Sequence, residues 1–250
     1  NCSACTYLCK EGLDPAEALY SLKVQLLKEG VPLGQKLKNS ALSFIKRIHS
    51  FPFSHWERAE KVFWPGCSFW GIYPHLIKEI LKILNKNSEK KVGLVLDCCL
   101  DPLYQIGAVE EVERAWKNLN LRFFQNGIKE VTLGCTNCYK IFKKYSENLQ
   151  VKHILEVLPE SLFENISPNS FFHLPCPAFK ERNFKERIVQ KFGRHFSKIL
   201  KIPSCCGAGG GAYMNEELSQ DFLKITVKKA QKNPIITFCF GCKNRFVGIG

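Results

Sequence analysis

Thirteen cysteines give this chain of 250 residues its clearest capacity for chemistry, and some of them are adjacent in sequence. Cys205 and Cys206 leave the backbone in different directions, so a disulfide between them would close a small strained ring, whereas one multi-iron centre accepts both thiolates. Gly207, Gly209 and Gly210 follow in the same loop. Because glycines let a bulky group approach the backbone closely, this loop is predicted to be half of a cofactor cradle.

The cysteines follow an order that occurs twice: one cysteine, then an adjacent pair, then a C-x2-C pair. Corresponding cysteines lie about 105 residues apart, which indicates an internal repeat. The first copy contains Cys67, Cys98, Cys99, Cys135 and Cys138, and the second contains Cys176, Cys205, Cys206, Cys239 and Cys242.

Each copy has more thiols than the four that close a tetrahedral zinc site. A C-x2-C pair alone would equally suggest zinc or a thioredoxin-like thiol pair. Its combination with an adjacent pair and a single cysteine, in duplicate, favours iron–sulfur chemistry. A zinc-stabilised scaffold is the structural alternative, whereas the odd number of cysteines fits a disulfide framework poorly.

A further group near the start of the chain has the C-x2-C-x3-C spacing of the last three positions in the ferredoxin pattern. Its members are Cys2, Cys5 and Cys9. This spacing predicts a cubane 4Fe–4S cluster, with a zinc knuckle or free thiols as alternatives. The fourth ligand would lie just before Asn1 or be a distant cysteine. Because the chain also lacks an initiator Met, we expect the sequence to begin inside a longer protein.

Short apolar runs end at the cysteines of each copy, and helical patterns lie between these runs. Helices are predicted over residues 74–85, 109–126, 180–196 and 216–231, over residues 36–48, and from Pro15 onward. Alternation of strand and helix implies a mostly parallel sheet, since parallel neighbours need crossovers. The cysteines are therefore predicted to gather at the carboxyl ends of the strands, where such sheets bind their ligands.

The predicted fold class is α/β, with two pseudo-symmetric repeats that each contain a small, mostly parallel sheet flanked by helices. Residues 1–60 are predicted to form a ferredoxin-like cluster remnant and a helical connector. Residues 61–168 are predicted to form the first cysteine-rich domain, and residues 169–250 the second.

The formal net charge is +13, from 36 Lys and Arg against 23 Asp and Glu. Thiolates bound to iron would lower this net charge to roughly half. The lysines are scattered along helical faces without interleaved aromatics, which favours a solvated surface or an acidic redox partner over nucleic acid. Since neither a bilayer-spanning apolar run nor a signal-like start is visible, we expect a cytoplasmic location, including the cytoplasmic face of a membrane complex.

These cysteine groups resemble the tandem cysteine-rich CCG domains found in the B-type subunits of heterodisulfide reductase and their relatives, over residues 62–244. The N-terminal cysteines are similar to those of the C-type subunits, so the whole chain resembles the fusion of both types that forms the D-type subunits. The resemblance implies that each five-cysteine copy binds one noncubane 4Fe–4S cluster and that the two clusters face each other. Electrons would arrive through cubane clusters.

The resemblance also implies an oxidoreductase subunit that cleaves a disulfide reductively, with the clusters themselves as the catalytic groups. Its partners would be other iron–sulfur or flavoprotein subunits, a disulfide or quinone-linked acceptor, and a membrane-associated protein. The alternative is an electron-transfer subunit that links a flavin dehydrogenase of the 2-hydroxy acid, glycerol-3-phosphate or succinate type to a quinone. The cysteine pattern separates these two branches poorly.

Several neighbours of the cysteines have predicted roles of their own. Leu100 stands where the resemblance expects the glycine after the first cysteine pair, so the local loop shape is expected to differ there more than cluster binding. For His173 a structural hydrogen bond is favoured over donation to a cluster or substrate. For Asp97 and Asp101, which bracket the first pair, capping or turn roles are favoured over proton relay.

Overall fold

The computed structural model describes residues 3–50, 52–180, 182–200, 204–209 and 215–247. The chain divides into two compact units, one formed by residues 19–157 and the other by residues 1–18 together with 158–250. We call them the first-repeat unit and the second-repeat unit. The predicted division at residues 60 and 168 stays a prediction.

Short strands and helices alternate along the described ranges, which confirms the predicted α/β class. The strands are β1 (His55–Trp56), β2 (Lys61–Trp64), β3 (Val92–Leu96), β4 (Glu130–Leu133), β5 (Gln150–His153), β6 (Phe171–His173), β7 (Lys198–Leu200) and β8 (Ile235–Thr237). The helices are α1 (Ala4–Leu8), α2 (Pro15–Lys28), α3 (Pro32–Ile48), α4 (Cys67–Ile72), α5 (Pro74–Lys86), α6 (Asp101–Ile106), α7 (Val109–Gln125), α8 (Thr136–Tyr145), α9 (Ile154–Val157), α10 (Pro177–Lys180), α11 (Arg182–Phe192), α12 (Glu216–Ala230) and α13 (Phe240–Val247).

The sheet of the first-repeat unit has the strand order β1-β3-β2-β4-β5. Its strands are parallel except for β1, which pairs antiparallel with β3 at one edge. Val62, Phe63 and Trp64 on the central strand are completely buried. A strand covered by helices on both faces carries such a continuous apolar run, as parallel sheets generally do.

Proline begins three of the helices in the first half of the chain, at Pro15, Pro32 and Pro74. Its fixed φ suits the first helical position, where its missing N–H leaves no hydrogen bond unmade. The Asp14 carboxylate accepts a hydrogen bond from the backbone N–H of Glu17 (3.0 Å) and so caps the start of α2. The helix predicted over residues 36–48 begins earlier, at Pro32.

Aromatic side chains form the core of the first-repeat unit. Trp64, Trp116, Phe123 and Phe142 are each at most 1% exposed. Phe142 lies at the centre of the group, with ring centroids 5.0 Å from Trp64 and 4.8 Å from Trp116, both edge to face. Each buried ring of this size contributes roughly 1.5–3 kcal/mol, so this core holds α7 and α8 firmly against the sheet.

The sheet of the second-repeat unit has three parallel strands in the order β7-β6-β8. Its core contains Phe172, Phe184 and Phe192, all at most 1% exposed. Helix α12 begins at an asparagine cap, because the Asn215 side chain accepts a hydrogen bond from the Leu218 N–H (3.0 Å). The helix predicted over residues 180–196 is divided, since the chain turns into a short 3-10 helix at Gly193–His195.

The two units share one strand order. In each, the first strand of the repeat is central, the second lies on one side and the third on the other, giving β3-β2-β4 and β7-β6-β8. This correspondence is the structural form of the internal repeat that the cysteine order predicts. No helix within the described ranges is both long and apolar enough to cross a bilayer.

Candidate metal centre

Every strand of the two three-strand cores ends just before a cysteine. Because these strands are parallel, their carboxyl ends lie at one edge of each sheet. In the first repeat, β2 leads to Cys67, β3 leads to Cys98 and Cys99, and β4 leads to Cys135 and Cys138. In the second repeat, β6 leads to Cys176, β7 leads to Cys205 and Cys206, and β8 leads to Cys239 and Cys242. The topology thus brings each five-cysteine copy to one edge of its own unit.

The five thiols of the first repeat form one connected group. Cys138 shares hydrogen bonds with Cys135 and Cys99, while Cys67 interacts with Cys99 and Cys135. Cys98 in turn lies near Cys99 and Cys67. Cys98, Cys99 and Cys138 are each at most 4% exposed, so the group faces the protein interior.

Three of the first-repeat thiols, those of Cys67, Cys98 and Cys138, have raised pKa values. Burial raises the pKa of Cys67 to about 12, and the neighbouring Cys99 and Cys135 thiolates contribute to this rise. The pKa of Cys98 is also raised, by burial and then by Cys99. For Cys138 the hydrogen bond to Cys135 is the first cause of a raised pKa. A thiol with a raised pKa keeps its proton until a cation compensates the charge of the thiolate, so metal ligation by these three cysteines would release protons.

The second repeat has an equally connected group of thiols. The Cys205 sulfur accepts hydrogen bonds from the Cys176 and Cys206 thiols, which lowers the pKa of Cys205 to about 3. Cys206 also shares a hydrogen bond with Cys242, and Cys242 with Cys239. The pKa of Cys206 rises to about 12, first through its hydrogen bond to Cys205. The hydrogen bond between the adjacent cysteines thus lowers the pKa of Cys205 and raises the pKa of Cys206.

The residue that follows each adjacent cysteine pair has a left-handed backbone in both repeats. Leu100 has φ +70° and Gly207 has φ +74°. In each loop the N–H of this left-handed residue donates to the sulfur of the first cysteine of the pair, Leu100 to Cys98 and Gly207 to Cys205, both at 3.4 Å. The expectation that Leu100 changes the loop shape is wrong at this point. The left-handed backbone costs leucine about 1–2 kcal/mol. Burial of the Leu100 side chain, which is 1% exposed, offsets this cost.

Two glycines lie against the cysteines at positions where an added side chain would be crowded. A Cβ at Gly209 would lie 3.3 Å from the Cys176 sulfur. A Cβ at Gly66, where φ is +88°, would lie 2.7 Å from the Cys135 Cβ and 3.4 Å from the Cys138 sulfur. These positions are the close backbone approaches that a bulky centre needs. Gly210 lies outside the described residues.

Sequence reasoning misses Gly66, although its place in a Pro-Gly-Cys sequence is a usable signal. Proline followed by glycine favours a turn, and here the turn separates a buried strand from the first cysteine of the repeat. The same signal therefore indicates where the backbone bends toward the thiols.

Valine at position 209 is expected to reduce iron in the second repeat and leave the first repeat loaded, because its side chain would occupy the space beside the Cys176 sulfur. Iron and acid-labile sulfide per chain are the measurement. Gly71→Val is the matched control, since no atom lies within 4 Å of a Cβ at Gly71. Equal iron in wild type and Gly209→Val would remove the proposed role of this glycine.

Side-chain donors hold the second cysteine loop through three successive carbonyl groups. Thr226 donates to the carbonyl of Cys205 (2.8 Å), Arg245 to that of Cys206 (3.4 Å) and Ser219 to that of Gly207 (2.9 Å). In the first repeat, Trp116 Nε1 donates to the carbonyl of Cys99 (3.3 Å). These contacts fix the direction of the thiols. None of the donors is predicted by the sequence, because their spacing from the cysteines follows no motif.

Asp97 anchors the first cysteine loop to the rest of its unit. Its carboxylate accepts hydrogen bonds from the Cys98 N–H (2.8 Å), Trp56 Nε1 (2.7 Å) and Arg122 (3.1 Å), and His49 Nε2 lies 2.9 Å away. Burial opposes ionisation, but the hydrogen bond and charge of His49, followed by the donors Trp56 and Cys98, leave the pKa of Asp97 below its usual value. Of the predicted capping or turn roles, the contact with the Cys98 N–H fits a turn role, since α6 begins at Asp101 and has Leu100 as its N-cap residue.

Two further charged or polar neighbours of the loops have structural partners. Lys140 forms a buried ion pair with Asp101 (2.6 Å), which raises the pKa of Lys140 against the opposing effect of burial. Both ring nitrogens of His173 have partners, Thr237 Oγ1 at 3.2 Å and the Ser204 carbonyl at 3.3 Å. Burial lowers the pKa of His173 to about 4, so the ring is neutral at pH 7. The favoured structural role of His173 agrees with these contacts.

The N-terminal cysteines are only partly described. Cys2 lies outside the described residues, Cys5 is exposed and Cys9 is half-buried. The segment is tied to the start of α2, since the Thr6 hydroxyl donates to Asp14 and accepts from the Ala16 N–H (3.1 Å). Assignment of a cubane cluster to this segment stays a prediction.

The residues present fit a multi-iron centre in each repeat. Among the described residues, no three His, Cys, Asp or Glu side chains are arranged to hold a single metal ion. Each repeat instead supplies five clustered thiols, soft ligands of the kind that iron–sulfur clusters use, and one glycine, Gly66 or Gly209, lies against the cysteines of each group. The assignment of the ten cysteines as cluster ligands stays a prediction.

The C-terminal part of the chain matches a known domain family. Residues 171–246 correspond to the CCG cysteine-rich domain. This range contains the five cysteines of the second copy and the whole of its three-strand sheet.

Two curated relatives extend the similarity over most of the chain. They are the D-type subunits of the dihydromethanophenazine:CoB–CoM heterodisulfide reductases of Methanosarcina mazei and Methanosarcina barkeri, each 23% identical over 252 residues, which is 84% of this chain and 61% of the relative. The chain thus spans less than two thirds of their length. No solved structure matches it significantly. The resemblance predicted from the cysteines is confirmed, and it supports an iron–sulfur redox role.

Proposed function

We propose that this chain is an iron–sulfur subunit of a disulfide-reducing oxidoreductase complex and that each repeat holds one noncubane 4Fe–4S cluster. The observation that carries the proposal is the duplicated cysteine loop. Leu100 and Gly207 share a left-handed backbone and the same 3.4 Å contact from N–H to cysteine sulfur, despite different side chains. Two like sites suit a reaction that needs two electrons.

The ten clustered cysteines would be the ligands. The first cluster would be held by Cys67, Cys98, Cys99, Cys135 and Cys138, and the second by Cys176, Cys205, Cys206, Cys239 and Cys242. When bound, such clusters supply one-electron redox chemistry. The N–H groups of Leu100 and Gly207 would stabilise negative charge on sulfur, which is one way in which a protein sets a reduction potential.

The proposed reaction breaks one sulfur–sulfur bond. Two electrons and two protons are taken up, and two thiols form. Other iron–sulfur or flavoprotein subunits would supply the electrons. Cys2, Cys5 and Cys9 would hold part of a cubane cluster, whose chemistry is one-electron transfer. The electron-transfer alternative keeps both cluster sites and has no disulfide substrate.

Metal analysis tests the cluster assignment. Anaerobically purified chain is expected to contain about four iron and four sulfide per repeat, the composition of a 4Fe–4S cluster. Cys99→Ser and Cys206→Ser form a matched pair that should each remove the signal of one repeat in electron paramagnetic resonance (EPR) spectra. Zinc without acid-labile sulfide would contradict the proposal.

Thiol release tests the reaction. Loaded, reduced chain mixed with asymmetric disulfides of small anionic thiols should yield two thiols for every two electrons consumed. The matched pair Cys99→Ser and Cys206→Ser should both fail to do so. A fully loaded chain that transfers electrons to a quinone analogue but releases no thiol would favour the electron-transfer alternative.

A further inference from the structure

The two repeats differ in charge at one equivalent position, three residues after the last cysteine of the C-x2-C pair. In the first repeat this position is Ile141, on α8 and 0% exposed. In the second repeat it is Arg245, on α13. Residues three apart lie on one face of a helix, so each of these residues is on the same face as its cysteine, Cys138 or Cys242.

Arg245 is attached directly to the cysteine loop of its own unit. Its Nε donates to the carbonyl of Cys206 (3.4 Å), and one terminal nitrogen donates to the Ser219 hydroxyl (2.9 Å). The Ser219 hydroxyl in turn donates to the carbonyl of Gly207 (2.9 Å). The guanidinium group is therefore held against the backbone of Cys206 itself, and arginine stays protonated at any working pH.

The charge of Arg245 has no carboxylate partner within the described residues. In the first repeat, by contrast, two cations near the cysteine loop have carboxylate partners. Lys140 pairs with Asp101 (2.6 Å) and Arg122 pairs with Asp97 (3.1 Å). Among the residues that the structure describes, the second cysteine loop therefore has a cation without a carboxylate partner against its backbone, whereas Lys140 and Arg122 in the first repeat are both paired.

We propose that Arg245 raises the reduction potential of the second-repeat centre, so that this centre accepts an electron before the first. The inference rests on the proposed function, because it requires a cluster in each repeat. Reduction adds negative charge, and a nearby cation stabilises the reduced state. A unit charge within about 10 Å, at an effective dielectric constant of about 20, shifts such an equilibrium about tenfold.

A redox titration of the loaded full chain, followed by EPR, tests the proposal. Arg245→Gln should lower the ratio of reduced to oxidised second-repeat centre about tenfold at a fixed potential, a shift of about 59 mV for one electron. Arg245→Lys keeps the charge and should retain most of the wild-type potential. The EPR signal whose potential shifts should be the one that Cys206→Ser lacks. The potential of the first-repeat signal should remain unchanged.

Arg194→Gln is the matched control, because it removes an arginine of the same unit that pairs with Glu160 at the surface. The titration measures the reduction potential of the clusters that are bound, so the potential can still be measured in a variant that binds less iron. An unmoved potential in loaded Arg245→Gln would overturn the inference and leave the proposed function intact. Equal shifts in Arg245→Gln and Arg245→Lys would assign the effect to hydrogen bonding and also overturn it. Wild type without iron and sulfide would overturn both.

Discussion

Replacing Gly207 with alanine is expected to abolish iron binding in the second repeat and to leave the first-repeat centre in place. Gly207 has φ +74°, and a Cβ built there would overlap the carbonyl group of Ser219 on α12. The left-handed backbone costs a residue other than glycine about 1–2 kcal/mol, and the forced shift adds about 1–3 kcal/mol. Because Gly207 directly follows Cys206, a shift of this loop is expected to move Cys206 away from its partner thiols and so to disrupt the ligand set.

Gly12→Ala separates backbone strain from the collision. Gly12 lies in the same unit and has φ +69°, but no atom lies within 4 Å of its Cβ position. This control should lose about 1 kcal/mol in urea unfolding and no iron. Gly207→Ala should lose the iron of one repeat and the EPR signal that Cys206→Ser also lacks. A Gly207→Ala chain with the iron and sulfide of wild type would show that helix α12 can move without affecting the centre.

The contrast between Gly207 and Leu100 shows which features of the site a sequence pattern can predict. The cysteine order predicts the repeat, and the apolar runs before the cysteines predict parallel strands that end at them, as found. The left-handed residue after each cysteine pair is predicted by glycine at 207 and obscured by leucine at 100. The backbone at Leu100 depends on burial of its side chain, which is a tertiary effect.

Other features depend on tertiary structure alone. The edge strands β1 and β5 are short and lack a clear alternation of apolar and polar residues, so they are not predicted. The donors Ser219, Thr226 and Arg245 reach the loop carbonyls because of how two helices are rotated about their axes. A hydrophobic pattern predicts which helix face is buried, but it does not predict which polar side chain on that face meets a particular carbonyl group.

Asp97→Asn is expected to destabilise the first-repeat unit by about 2–4 kcal/mol, because the donors around the carboxylate lose its negative charge. Removal of one member of a buried ion pair costs about 3–5 kcal/mol, and the Arg122 side chain, 42% exposed, recovers part of this cost through water. The asparagine amide would also direct N–H groups toward Trp56 or His49, which are donors in the wild type. Urea unfolding at pH 7 measures the change in the free energy of unfolding.

The same substitution should affect the first-repeat centre and leave the second-repeat centre unchanged. Asp97 accepts from the Cys98 N–H (2.8 Å), so its loss loosens the first cysteine loop, and first-repeat iron should fall while second-repeat iron stays constant. Asp221→Asn is the matched control, since its ion pair with Lys224 (3.6 Å) is solvent-exposed and should contribute less than about 0.5 kcal/mol. If Asp97→Asn retained wild-type stability and iron, the loop would be held by other contacts, among them the Trp116 hydrogen bond to the Cys99 carbonyl (3.3 Å). The network of His49, Trp56 and Arg122 would then have no part in positioning the centre.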